Sequence, residues 1–239
     1  MEWDTAICRH MHMTREASNH AMKPSCPVSC GPLRAWLSGV MIKNVDSRAA
    51  PAGGLSRYRW AAHMIVLEAR DLGWTRGPED DPSDQSAHGR VTFEINDTLF
   101  VRPDDGVWVV STAALYLLRT LEHSHTAADP VAEGNLLFPH CGHDAWLHDG
   151  KFKVICPGCD NGIDPEVINR GDVVTVRSAD GSEETVDFED WETAVFRFAD
   201  QVQEFFRRCS PKIAPEDELD RRGRAAFWSE WEARRNRAG

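Results

Sequence analysis

Two short motifs bring four side chains that bind metals within one stretch of twenty residues. The first motif is His140-x-x-His143, and the second is Cys156-x-x-Cys159. Imidazole nitrogens and thiolates are the ligands that structural zinc binds tetrahedrally, and two closely spaced ligands from each of two motifs complete such a site. The pattern therefore predicts a Zn²⁺ ion held by His140, His143, Cys156 and Cys159.

The residues between the two motifs predict how the motifs meet. Asp149-Gly150 lies midway between them and is a preferred sequence for a two-residue type I′ turn. A β-hairpin folded about this turn places His143 opposite Cys156 and His140 opposite Cys159. The ligands would then come together from the two strands of one hairpin.

The same register also sorts the remaining side chains of the hairpin into two faces. A shift by one residue would move every side chain to the other face, so the sorting tests the register. The predicted apolar face is Ala145, Leu147, Phe152 and Val154, and the predicted solvent face is Trp146, His148, Lys151 and Lys153.

Residues 140–159 resemble a zinc ribbon, and the resemblance covers only these residues. Most zinc ribbons use mainly Cys ligands, whereas this hairpin offers two His, which also suit other transition metals. Cys141 is a competing ligand that could replace His140. Four protein ligands predict a closed, structural site, because a catalytic zinc keeps one position open for water. The His-x-Glu motif of zinc deaminases and the HExxH motif of metalloproteases are both absent.

Composition predicts a soluble, cytosolic protein. No apolar run approaches the roughly 20 residues needed to span a bilayer, and the first residues lack the pattern of a secretory signal. The seven cysteines are an odd number that includes a CxxC, which indicates metal binding or free thiols rather than a disulfide framework. We therefore expect no membrane partner.

The charge of the chain is unevenly distributed. Residues 1–60 carry eight Lys or Arg against four Asp or Glu, whereas the remaining residues carry 19 basic and 34 acidic side chains. Such an acidic region repels phosphates and suits a basic protein partner, although it can also serve only to keep the chain soluble. The expected partner-binding residues form one acidic cluster: Glu183, Glu184, Asp187, Glu189 and Asp190.

Three functions are compatible with these features. The stretch from Ile163 to Phe206 resembles uncharacterised bacterial proteins of the small acidic kind that neutralise toxins, which implies a non-enzymatic binding protein. A nucleic-acid-binding regulator would instead use the zinc hairpin and the C-terminal helix, where Arg residues alternate with Phe227, Trp228 and Trp231. An enzyme would use the hairpin as a scaffold, but no known catalytic motif is present, so we assign no catalytic residue.

The predicted fold class is α+β, with antiparallel hairpins packed by helices. Alternating residues predict a three-strand meander over 91–110, and a hairpin turning at Asp180-Gly181. Apolar stripes predict helices near 111–124, 191–208 and 216–235. Residues 61–70 are compatible with either a strand or a helix.

We expect residues 61–239 to form one domain that contains the zinc hairpin. Residues 1–60 show no regular period, and we interpret them as a disordered tail or as an extension from a start codon assigned too early. Two features of the domain have mainly structural explanations. His123 and His125 are expected to complement the dipole at the end of the first helix, and Asp164 to cap backbone amides in a loop.

Overall fold

The computed structural model describes residues 64–132, 136–141, 144–148, 151–155 and 161–236. Antiparallel sheets and three helices make up these residues, which confirms the α+β class. The interpretation of residues 1–60 falls outside the described residues and stays a prediction. None of the helices in the described ranges combines the length and apolarity needed to cross a bilayer.

The largest sheet contains β1 (Ile65–Gly73), β2 (His88–Ile95), β3 (Thr98–Val101) and β4 (Trp108–Val109). Asn96 and Asp97 both adopt positive φ angles, as the type I′ turn between β2 and β3 requires. The expected meander is wrong in its last step, because β4 pairs with the start of β2 and not with β3. This pairing brings the chain back to the start of β2, and the next helix begins directly after β4.

Helix α1 (Val110–Thr120) is the centre of the core, and all eleven of its residues are buried. It is shorter than expected and begins without a capping side chain, since Val109 of β4 leads directly into it. His123 stays at the end of this helix, where its N–H donates to the carbonyl of Arg119 at 3.1 Å, whereas His125 lies farther along and pairs with Val167.

A second sheet has the order β11-β10-β9, formed by β9 (Glu166–Asn169), β10 (Val173–Arg177) and β11 (Glu183–Asp187). The predicted hairpin is confirmed, with Gly181 at positive φ in its turn. Helix α2 (Phe188–Arg208) follows β11 immediately, so it starts three residues earlier than the apolar stripe indicates. The indole Nε1 of Trp191 donates to the Oγ1 of Thr120 at 3.1 Å and joins α2 to α1 inside the core.

Helix α3 (Glu218–Arg235) is joined to α1 by a partly buried ion network. The guanidinium of Arg119 donates to both carboxylate oxygens of Glu230 at 2.7 and 2.9 Å. Arg234 donates to Glu230 at 2.8 Å and lies 2.9 Å from the carboxylate of Glu122. Because the Arg119 side chain is only 8% exposed and that of Glu230 19%, solvent screens this pairing weakly.

The segment between α2 and α3 is held against the loop that follows β1. The ammonium of Lys212 lies 3.2 Å from the ring centroid of Trp74 and 3.3 Å from the carboxylate of Asp80. The N–H of Ile213 donates to the carbonyl of Pro82 at 2.9 Å. These contacts fix the position from which α3 begins.

Candidate metal centre

The hairpin predicted from the turn symmetry is present in the predicted register. Strands β6 (Asp144–His148) and β7 (Lys151–Ile155) follow each other in sequence and pair antiparallel. Ala145 is opposite Val154, and Leu147 is opposite Phe152. In each of the five cross-strand pairs, the two partners are the same number of residues away from Asp149-Gly150. The register prediction is therefore confirmed.

A second short ladder joins the residues before the HxxH motif to the residues after the CxxC motif. Strands β5 (Phe138–Pro139) and β8 (Gly162–Ile163) pair antiparallel. The N–H of His140 also donates to the carbonyl of Asn161 at 3.1 Å, which extends this ladder by one hydrogen bond. The HxxH motif therefore spans the four residues between β5 and β6, and the CxxC motif lies between β7 and β8. Pairing on both sides brings together the described residues that precede and follow the two motifs.

Only part of the predicted ligand set lies in the described residues. His140 is exposed, and its Nδ1 lies 3.7 Å from the Sγ of the half-buried Cys141. His143, Cys156 and Cys159 are outside the described residues. Within the described ranges, no three His, Cys, Asp or Glu side chains are arranged to hold a metal ion. The four-ligand zinc site, with Cys141 as competitor, therefore stays a prediction that the two flanking ladders support.

Two residues of the main sheet lie beside His140. Its imidazole packs edge-on against the indole of Trp108 on β4, with ring centroids 6.2 Å apart. His88 on β2 is buried, and its Nδ1–H donates to the carbonyl of Ser86 at 2.9 Å. Burial lowers the pKa of His88, and the nearby His140 acts in the same direction. The lowered pKa favours the neutral imidazole, in which the proton on Nδ1 makes this hydrogen bond.

The hairpin packs against α3, and the backbones approach most closely at Gly223. The Cα of Gly223 lies so close to the carbonyl of Ala145 that an added Cβ would collide with this oxygen. Helix α3 continues through Gly223 to Arg235. The glycine is needed because only a residue without a side chain lets the two backbones approach this closely.

The five acidic residues of the predicted partner site lie along one strand and the helix that follows it. Glu183 and Glu184 are in β11, Asp187 is the residue before α2, and the last two, Glu189 and Asp190, are in the first turn of α2. Glu183 pairs with Arg177 at 2.7 Å. The carboxylate of Glu184 accepts hydrogen bonds from Thr98 at 2.8 Å and Asn96 at 3.1 Å. Asp187, Glu189 and Asp190 form no ion pair with the described residues.

Asp164 caps a backbone amide, as predicted, and also holds a buried histidine. Its Oδ1 accepts from the N–H of Leu137 at 2.7 Å and lies 2.8 Å from Nε2 of His125. The main chain of His125 forms two hydrogen bonds with Val167, at 2.7 and 2.8 Å. His125 thus connects β9 to the loop that leaves the CxxC motif, which is a structural role.

Sequence reasoning missed His88 and Trp108 as neighbours of the predicted ligand His140. Residues 77–89 have a loop-like composition, and this hid the fact that His88 begins a strand. Trp108 was assigned to a meander strand, and only the pairing of β4 with β2 brings it to His140. Both contacts depend on which strands pair, and no local pattern reports that.

Comparison with protein-family models, with curated proteins and with solved structures finds no match to this chain.

Proposed function

We propose that the protein is a zinc-stabilised, non-enzymatic binding protein that binds a basic protein partner, as a toxin-neutralising immunity-type protein does. The partner would bind at the acidic face, which is formed by Glu183, Glu184, Asp187, Glu189 and Asp190. The observation that carries the proposal is that β11, a strand rich in acidic side chains, has an unpaired edge. Within the described residues, β11 pairs only with β10, so its other edge has no strand partner.

The hydrogen-bond pattern identifies the main-chain groups on this open edge. Ser178 donates to Ser182, and Phe188 donates to Asp172, each at 2.9 Å, so the even-numbered residues of β11 bond to β10. In an antiparallel pair, the N–H and C=O groups of the alternate residues point away from the partner. On β11 these outward residues are Glu183, Thr185 and Asp187.

Acidic side chains favour a basic partner at this edge over a second copy of the chain. A second β11 strand would bring Glu183 and Asp187 close to other carboxylates, which disfavours pairing. An extended segment rich in Lys or Arg would instead combine main-chain hydrogen bonds with charge attraction. The 34 acidic residues that follow residue 60 extend this attraction beyond the edge.

The nucleic-acid alternative has less support from the C-terminal helix. Phe227 and Trp231 are buried and therefore unavailable for base stacking. Several of the arginines are already paired with carboxylates of the chain, as Arg221 is with Glu218 at 2.6 Å and Arg235 with Asp200 at 2.8 Å. Pairing of this kind removes the free positive charge that phosphate binding requires.

An affinity experiment with charge reversal tests the proposal. The immobilised protein is incubated with an extract of the source cells in about 50 mM salt, and retained proteins are identified by mass spectrometry. The test variant is Asp187→Lys/Glu189→Lys/Asp190→Lys, which reverses the three acids that form no ion pair with the described residues. The matched control is Glu79→Lys/Asp104→Lys/Glu216→Lys, which changes the net charge equally at exposed acids elsewhere.

The proposal expects one basic protein that the wild type and the control retain, that the test variant loses, and that about 500 mM salt releases, because high salt screens exposed charges. If high salt does not release the retained protein, or if the test and control variants retain it equally, the acidic face is not the binding site. A failure to retain any basic protein contradicts the proposed function as a whole.

A further inference from the structure

Strand β11 presents three side chains in a row on one face of its sheet. Successive residues of a strand alternate between the two faces, so Glu183, Thr185 and Asp187 share one face. Val186 is buried in the core on the opposite face, whereas Glu183 and Thr185 are exposed. The main-chain groups of the same three residues point away from β10. A strand added to β11 would therefore meet both the main chain and the side chains of this row.

The two ends of the row carry carboxylates that keep a net negative charge. The guanidinium of Arg177 is shared between Glu183 at 2.7 Å and Glu166 at 3.2 Å, so these three side chains together retain one negative charge. Asp187 forms no ion pair with the rest of the described chain. Because Glu183 and Asp187 are four residues apart, an extended strand places them about 13 Å from each other. Two cations on an added strand would meet both carboxylates if they were also four residues apart.

The middle of the row, Thr185, offers main-chain hydrogen bonds rather than charge. Its hydroxyl is used inside the sheet, where Oγ1 lies 3.0 Å from Oγ1 of Thr175 on β10. All strand pairs among the described residues are antiparallel, and antiparallel pairing is the more stable per residue. In an antiparallel addition, the partner residue opposite Thr185 would accept from its N–H and donate to its C=O.

We propose that β11 binds its basic partner by strand addition, in which an extended segment of the partner pairs antiparallel with Glu183–Asp187 and places one Lys or Arg opposite Glu183 and another opposite Asp187. This inference rests on the proposed function, to which it adds the conformation of the partner segment and the spacing of its charges. Because β11 has five residues and α2 follows it directly, the paired segment is equally short.

Two peptides of identical composition test the spacing of the charges. The probe is capped Thr-Lys-Val-Thr-Val-Lys-Thr, whose lysines are four residues apart and share one strand face with the central Thr. The control is capped Thr-Lys-Val-Thr-Lys-Val-Thr, which has the same net charge but lysines on opposite faces. Each peptide is titrated to millimolar concentration into the ¹⁵N-labelled full chain, and shifts of the β11 amides give its affinity.

The probe should bind about two- to fivefold more tightly than the control, because the control loses one cross-strand charge pair. Equal affinities, tighter binding of the control, or no shift of the β11 amides with either peptide overturns the inference.

N-methylation of the probe tests the main-chain pairing. A methyl group on the nitrogen of the central Thr removes the N–H that would donate to the Thr185 carbonyl. It should weaken binding about tenfold, because the hydrogen bond is lost and the carbonyl is left without a donor. N-methylation of the following Val is the matched control, since the N–H of that residue would point away from β11. Equal effects of the two methyl groups overturn the antiparallel pairing.

Substitution of Thr185 tests the same pairing from the side of the protein. Thr185→Pro removes the outward N–H and no hydrogen bond to β10, and edge strands tolerate proline in this orientation. It should weaken binding of the probe about tenfold, whereas Thr185→Val, which loses only the hydroxyl, should bind the probe as the wild type does. If Thr185→Pro does not fold, the methylated peptides decide the question.

Retention of the partner from the cell extract separates this inference from the proposed function. A basic protein that the wild type and Thr185→Pro retain equally, and that high salt releases, overturns strand addition and leaves the acidic face as the binding site. If the wild type retains no basic protein, the proposed function fails, and this inference fails with it.

Discussion

The core around α1 and the hairpin of β6 and β7 are stabilised in different ways. Every residue of α1 is buried beneath sheet and helix, so its conformation is determined by apolar contacts from distant parts of the chain. The hairpin has two strands of five residues each, joined by local pairing, and such a unit is marginal in water by itself. The difference indicates that the core is held mainly by its buried apolar side chains, whereas we expect the hairpin to need an additional constraint from α3 and from the predicted metal.

Substitution of a core residue should give the largest loss of stability. Phe198 is fully buried in α2, and Phe198→Ala should lower the free energy of unfolding by about 3–5 kcal/mol, because the removed ring leaves a cavity. Leu219→Ala, at a residue that is 56% exposed, should change it by less than about 0.5 kcal/mol. Urea unfolding measures both values. Similar losses in the two variants would contradict the assignment of the core.

Removal of one charge from the network between α1 and α3 should have the next largest effect. Glu230→Gln leaves Arg119 and Arg234 with a neutral partner, and we expect a loss of about 3 kcal/mol in the free energy of unfolding. Glu204→Gln is the matched control, since Glu204 forms exposed ion pairs with Arg207 and Arg208. The control should lose less than about 0.5 kcal/mol. An equal loss would show that burial adds nothing to the network.

Adding a single methyl group at Gly223 should weaken the contact between the hairpin and α3. Gly223→Ala forces the helix away from the Ala145 carbonyl, and we expect a cost of about 1–3 kcal/mol. Hydrogen exchange should become faster in β6 and β7 and remain slow in α1. Ser229→Ala, at an exposed position of the same helix, should leave both rates unchanged. Unchanged exchange in Gly223→Ala would mean that the hairpin does not depend on α3.

The smallest effect is expected in the pH dependence of the same network. Burial alone raises the pKa of Glu230, but the hydrogen bonds and charges of Arg119 and Arg234 outweigh it, so the net pKa lies below its usual 4.5. A carboxyl with a lowered pKa in the folded state stabilises the protein above its unfolded pKa and loses this contribution as the pH falls through the folded value. The stability difference between wild type and Glu230→Gln should therefore be constant at neutral pH and shrink below about pH 4.5. A constant difference down to pH 3 would contradict this linkage.

The features that the sequence predicted correctly are local. The hairpin register follows from the position of one Asp-Gly pair, and the stripe of α2 follows from helical spacing over 191–208. Apart from shifted helix ends, the errors concern pairing between distant residues. Nothing near Trp108 indicates that β4 pairs with β2, and nothing near Gly223 indicates a contact with Ala145.

Metal analysis of the purified protein tests the central claim most directly. The account predicts about one zinc per chain, bound by two sulfur atoms at about 2.3 Å and two nitrogen atoms at about 2.0 Å in X-ray absorption spectra. Cys156→Ser/Cys159→Ser should lose the metal, whereas Cys209→Ser, at a free cysteine after α2, should keep it. Metal-free wild-type protein with a fully protected hairpin would contradict the account, and so would zinc retained by the double variant.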